Sequence, residues 1–182
     1  MLYIIVIAAM FILLVFWIMS VQRSFVVMDE NINNAMSQIS IQLSSRWDAL
    51  SVMLDLTKGY AAHEYETLAE SIQARQPITK NSTPKDINKQ ENIITEMIGK
   101  VVAIAEKYPE MKADKSYLKI LDAVGQYENM VRTSRLIYND SITKLNQAIR
   151  RFPAFLIAGA LGFSKREYLE TTEDKANRSS VK

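Results

Sequence analysis

Residues 25–72 read FVVMDENINNAMSQISIQLSSRWDALSVMLDLTKGYAAHEYETLAESI. Phe25, Met28, Ile32, Ala35, Ile39, Leu43, Trp47, Leu50, Leu54, Thr57, Ala61, Tyr65, Leu68 and Ile72 follow one another in 13 steps across 47 residues, or 3.6 residues per step. That is the period of one face of an amphipathic α-helix, so a long helix buries this stripe against partners. Gly59 is the one interior breaker, at a cost of about 1 kcal/mol relative to Ala. It either divides one helix or marks the boundary between two.

Upstream, Leu2 to Met19 form an unbroken apolar run, and residues 1–21 hold no Asp, Glu, Lys, Arg or His. Eighteen helical residues span about 27 Å, enough for a hydrocarbon core of about 30 Å. Tyr3 and Trp17 suit the two interfaces. A cleaved signal peptide is the rival reading. It would want a basic leader and a small-x-small exit, whereas only Met1 precedes the run and Met19-Ser20-Val21-Gln22 follows it. The expectation is a permanent anchor at 1–21. Arg23, just past the span, favours an outer N-terminus and a cytoplasmic bundle at the cell membrane.

Downstream, Pro77 and the polar run 79–84 make a loop. Thr83-Pro84-Lys85-Asp86 reads as a helix start: Thr caps, Pro takes the first position, and Asp meets the positive helix end. The next stripe is Ile87, Ile94, Met97, Val101, Ile104 and Tyr108, ended by Pro109. Asp114 can cap a last long helix with the stripe Tyr117, Leu121, Val124, Val131, Tyr138, Ile142, Leu145, Ile149 and Phe152. The predicted fold is all-α: an N-terminal transmembrane helix continuing into an antiparallel up-and-down bundle of three to four helices over 22–151. Residues 152–163 are uncharged and too few to span a bilayer. Ser164-Lys165-Arg166-Glu167 matches a capping box, so a short helix is expected within 152–170, followed by a polar flexible tail at 171–182.

Composition excludes several classes. Five Gly and four Pro are too few turn residues for an all-β fold. Zero Cys removes disulfides, thiolate metal sites and cysteine nucleophiles. One His leaves no multi-histidine metal site, and a net charge of +2 gives no case for nucleic acid. The five glycines make no phosphate-binding loop. No cofactor or metal is expected.

Several strings in order resemble the LemA family of bacterial membrane proteins. They are Ala35-Met36-Ser37-Gln38-Ile39-Ser40-Ile41-Gln42-Leu43, Arg46-x-Asp48, Lys58-Gly59-Tyr60-Ala61-Ala62-His63-Glu64, Ala74-Arg75, Ala105-Glu106-Lys107-Tyr108-Pro109-Glu110-Met111-Lys112-Ala113, Tyr127-Glu128-Asn129, Arg135-x-x-Tyr138-Asn139-Asp140 and Phe152-Pro153. The resemblance covers nearly the whole chain and implies a helical bundle on one N-terminal membrane helix, with no established activity. The chain departs from the pattern at Ser45-Arg46, where two Arg are usual, and at Asp48-Ala49-Leu50-Ser51-Val52-Met53, where Asp-Leu-Ile-Pro-Asn-Leu is usual.

Two constellations stand out. Heptads counted from Tyr117 put Glu128 and Arg135 in the seam of the last helix, with Asn139 beside Arg135, while Arg46 and Asp48 flank Trp47. A buried charge must be paired, so these five residues are read as an interior polar layer that fixes helix register. The second is the apolar segment, with Phe155, Leu156, Ile157, Leu161 and Phe163 as contact residues. It either caps the bundle, meets a protein partner, or dips into a membrane interface with Lys165 and Arg166 on anionic headgroups. Residues 22–75 sum to −3 and residues 116–151 to +3, which favours the first and last helices lying side by side. The reading is a non-catalytic assembly scaffold, self-associating as a homo-oligomer. The alternatives are a membrane-shaping or membrane-bridging protein that uses 152–163, and a hydrolase or metal-dependent enzyme using Glu128, Arg135, His63 and Asp48.

Overall fold

The computed structural model describes residues 1–72, 75–79 and 82–169. Six helices follow in order: α1 (Leu2–Tyr60), α2 (Ala62–Ile72), α3 (Pro84–Lys107), α4 (Pro109–Ala113), α5 (Lys115–Arg150) and α6 (Phe155–Ala158). No strand occurs among the described residues. The fold is all-α, and the expected polar tail at 171–182 lies outside the described residues.

The chain divides into two compact units. The larger comprises Ala35–Leu136 with Leu169. Its core is the stripe read from the sequence: Ile39, Leu43, Trp47, Leu50 and Leu54 of α1 are at most 2% exposed, as are Ile87, Ile94, Met97 and Val101 of α3. Val124 and Val131 of α5 are buried with them. Two contacts fix the direction of α1 against α5. Arg46 meets Glu128 and Tyr60 meets Asp114, two pairs whose numbers share one sum, as antiparallel helices require.

The helix ends have local causes. Thr83 Oγ1 accepts from the Asp86 backbone N–H at 3.3 Å, and Asp86 Oδ2 accepts from the Thr83 N–H at 2.9 Å, with Pro84 in the first turn. Asp114 Oδ1 accepts from the backbone N–H groups of Ser116 and Tyr117 and so caps α5. The α1–α2 break falls at Ala61, two residues past Gly59. Backbone bonds bridge it, from Ala61 N–H to Thr57 and from Tyr65 N–H to Ala61.

The smaller unit comprises Met1–Asn34 and Ile137–Tyr168. In α1 it holds an 18-residue window of mean hydropathy 3.0, none of which is buried by protein. Beyond that window Phe25 and Ile32 are buried, with Tyr138, Ile142 and Leu145 of α5 and Ala158 of α6. Two expectations are corrected in this unit. Phe152, placed by heptad count in the α5 stripe, is 74% exposed, because α5 ends at Arg150 and Pro153 disfavours helix at the residue before it. The helix expected from Ser164 does not form. Asn146 accepts from the Arg166 N–H through Oδ1 and donates to the Arg166 carbonyl through Nδ2, both at 3.0 Å. That pair of hydrogen bonds to the backbone of one residue takes the groups a first helical turn would need, and residues 163–169 carry no helix. The short helix of this region is α6, one turn at Phe155–Ala158.

Candidate functional site

In the larger unit the seam charges are separated into pairs. Arg46 is 1% exposed, and its Nη2 lies 3.6 Å from Glu128 Oε2, whose side chain is 62% exposed. Nε and Nη1 of Arg46 are buried with no hydrogen-bond partner. Burial pulls the Arg46 guanidinium below its ordinary value, and the Glu128 carboxylate opposes that shift. Arg135 turns instead to α3, where it pairs with Glu91 and donates to Asn88 Oδ1 at 2.6 Å. Asp48 is at the surface, 2.8 Å from Arg75. Asn139 is half-buried and belongs to the smaller unit.

Of the five residues of the expected layer, the structure brings Arg46 and Glu128 together and gives Arg135 and Asp48 other partners. Sequence reasoning missed Gln90, which is 1% exposed. Its Oε1 accepts from Trp47 Nε1 at 3.2 Å and from the Gln76 backbone N–H at 3.0 Å, tying α1, the loop and α3 together. The signal was available: Gln90 falls between Ile87 and Ile94 at helical spacing. A cavity of about 250 Å³ with a mixed lining opens beside this group, bounded by Ser40, Leu43, Ser44, Arg75, Pro77 and Ile78 among others.

The residues of the enzymatic alternative have separate occupations. Glu128 is with Arg46, Arg135 with Glu91 and Asn88, and Asp48 with Arg75. His63 is exposed on α2, and the adjoining Glu64 carboxylate accepts from the Tyr108 hydroxyl at 3.0 Å. Among the described residues no three His, Asp or Glu side chains gather as metal ligands do.

In the smaller unit the apolar segment has a buried side and an open side. Phe163 packs its ring against Phe25 of α1, centroids 5.1 Å apart. Three residues on, Arg166 Nη2 donates to Asp29 Oδ1 at 2.5 Å. Ala158 is buried, and Ile157, Leu161 and Phe163 are half-buried. Phe155 and Leu156 are open, 50% and 63% exposed, and Phe152 joins them with its ring 6.3 Å from that of Phe155. Phe152 was absent from the expected contact set because its number fitted the helical stripe; Pro153 is the signal that releases it.

A family model described as the LemA family matches residues 35–182. The chain belongs to the LemA family. Protein LemA of Metamycoplasma hominis is 30% identical over 129 residues, 68% of this chain and 58% of that protein. Magnetosome protein MamQ 2 of Paramagnetospirillum magneticum is 21% identical over 174 residues, 81% of this chain and 64% of that protein. Magnetosome protein MamQ of Magnetospirillum gryphiswaldense is 22% identical over 172 residues, 80% of this chain and 63% of that protein. The chain therefore spans about three-fifths of the length of these relatives, whose names denote no reaction. It is a cell-membrane protein of the LemA family, with one span among the described residues, in α1 ahead of the matched region.

Proposed function

We propose that this LemA-family chain is a non-catalytic membrane module. It holds one leaflet at two points, the α1 span and the turn at 152–163, and shapes the membrane surface with that turn. The observation that carries the reading is the packing of Phe163 on Phe25, only four residues past Val21 and the end of the apolar run. Four helical residues rise about 6 Å. α5 runs antiparallel to α1 and so enters the segment heading toward the span. The chain leaves α5 at Arg150 and is back against Phe25 at Phe163. The open side chains of Phe152, Phe155 and Leu156 lie on the excursion between these points. An apolar wedge at headgroup depth enlarges one leaflet relative to the other, which is how interfacial apolar faces sense and impose curvature.

The test uses the full chain reconstituted into mixed vesicles of small and large diameter. The expected result is enrichment on small, strongly curved vesicles, lost when Phe152, Phe155 and Leu156 are all changed to Ser. Equal distribution of the unaltered protein rejects membrane shaping.

A second reading, self-association of the larger unit, rests on Ile41 and Val52. They lie three turns apart on one face of α1 and are 55% and 49% exposed. The particle mass of the full chain in mild detergent decides it. An oligomer that falls apart in Ile41→Glu supports a homo-oligomeric scaffold, and a monomer excludes it.

A further inference from the structure

Residues 22–28 and 141–166 of the smaller unit hold Arg23, Lys144, Arg150, Arg151, Lys165 and Arg166, and not one Asp or Glu. Lys144 is engaged by Asp140 and Arg166 by Asp29. The other four are exposed, with no ion-pair partner among the described residues.

Their depth follows from the Arg166 clasp. Asp29 holds the Arg166 guanidinium and Asn146 holds its backbone, so α1 and α5 are level there to within the reach of one Arg side chain. Arg150 lies one turn, about 6 Å, further toward the span, level with Phe25. Arg151 comes next, level with Ser24, three residues past Val21, and Arg23 itself is two residues past it. Lys165 lies between Phe163 and Arg166, hence between the depths of Phe25 and Asp29. All four ammonium and guanidinium groups thus fall within about one Debye length, ~10 Å, of the end of the span.

From this placement we infer that Arg23, Arg150, Arg151 and Lys165 form a cationic collar around the apolar turn. The collar binds the phosphate groups of anionic lipids, so that the turn seats selectively on a negatively charged leaflet. The inference rests on the interfacial reading of the turn above. Lipid is the fitting occupant because the span already fixes a bilayer at this depth, whereas a protein partner would have to bring its carboxylates into the headgroup layer. The collar also revises the sequence expectation. Arg166 is committed to Asp29, and the work falls to Arg150 and Arg151, which the sequence places at the end of a bundle helix.

The chain has no cysteine, so a single probe site is available. Ala160 is exposed within the turn. Full-length Ala160→Cys, carrying a polarity-sensitive fluorophore, is reconstituted into vesicles of phosphatidylcholine alone and of phosphatidylcholine with phosphatidylglycerol. The expected result is a lipid-like emission that grows with the phosphatidylglycerol fraction and recedes in high salt. Each basic residue near a charged membrane surface is worth about fivefold in such an equilibrium. Arg150→Gln with Arg151→Gln should therefore lower the seated-to-free ratio in phosphatidylglycerol vesicles by about 25-fold and leave it unchanged in phosphatidylcholine. Equal seating in both lipids overturns the selectivity and leaves the interfacial reading standing. A water-like emission in both overturns the two together. Efficient disulfide formation between two copies of the unlabelled Ala160→Cys chain, with a water-like emission from the labelled one, also overturns both, because it assigns the turn to a second copy.

Discussion

Replacing Arg46 by Met should stabilise the protein. The side chain is 1% exposed and, among the described residues, its one charge partner is 3.6 Å away and two of its N–H-bearing nitrogens have no acceptor. At that distance the Coulomb attraction lies between about 1 kcal/mol in water-like surroundings and about 5 kcal/mol at an effective dielectric of 20. Glu128 is 62% exposed, so the lower end applies. Against it stand a desolvation cost of several kcal/mol for the guanidinium and about 1–3 kcal/mol for each orphaned group. Met fills the same volume with no polar group and adapts to an irregular gap. The expected net gain is about 2 kcal/mol, within the range seen when buried ion pairs are replaced by apolar residues. For a chain of this length that raises Tm by about 4–8 °C. The assay is thermal melting of the full chain in detergent, followed by circular dichroism. Glu128→Gln should lower Tm by a few degrees, since it strips the buried cation of the counter-charge beside it. The double variant should melt like Arg46→Met, because Glu128 then has nothing buried to neutralise. A Tm for Arg46→Met several degrees below that of the unaltered protein would refute the reasoning, since it would mean that the buried guanidinium is fully satisfied.

Three further outcomes follow from the same geometry. Gln90→Leu leaves the buried Trp47 indole N–H and the Gln76 backbone N–H without their acceptor, and urea unfolding should show a loss of about 2–3 kcal/mol. Asn146→Ala removes both bonds to the Arg166 backbone; hydrogen exchange should accelerate at Arg166, while Tm moves by no more than about 2–4 °C. Stability should fall in acid: Thr83 holds the Asp86 carboxyl below its ordinary value, Tyr60 does so for Asp114, and the backbone N–H of Glu64 with the Tyr108 hydroxyl does so for Glu64. Groups so depressed contribute their full stabilisation above the ordinary values of 3.8–4.5 and lose it as pH falls through the lower folded-state values, so the melting curve should be flat above about pH 5 and drop below about pH 4.

The stripe from Phe25 to Leu68 was legible because α1 and α2 obey one period over many turns, and burial follows the period at nearly every member. The caps at Thr83 and Asp114 were legible for a related reason, since a cap is a local bargain between neighbours in sequence. What the sequence concealed depends on separations of 20 to 137 residues. Arg46, Arg135 and Asp48 were all identifiable as charges beside the stripe. Whether each meets Glu128, Glu91 or Arg75 is decided by helix register, to which hydrophobic periodicity is nearly blind. Ser164 satisfied a capping pattern, yet Asn146 offered its peptide groups a better partner. The same competition hid the role of Arg166, whose neighbour in space is Asp29 at the membrane end of α1. The proposed function is out of reach of the sequence for a related reason: it rests on where Phe163 returns to α1, and no local motif encodes that.

The measurement closest to the central claim is the depth of the turn in a bilayer. A fluorophore on the thiol of full-length Ala160→Cys, in bilayers whose lipids carry quenchers at graded positions along the acyl chain, reports it directly. The account predicts strongest quenching near the headgroup boundary, within about 10 Å of the interface, together with protection from a water-soluble quencher. Free access of the aqueous quencher, with no response to any lipid-borne one, would contradict it.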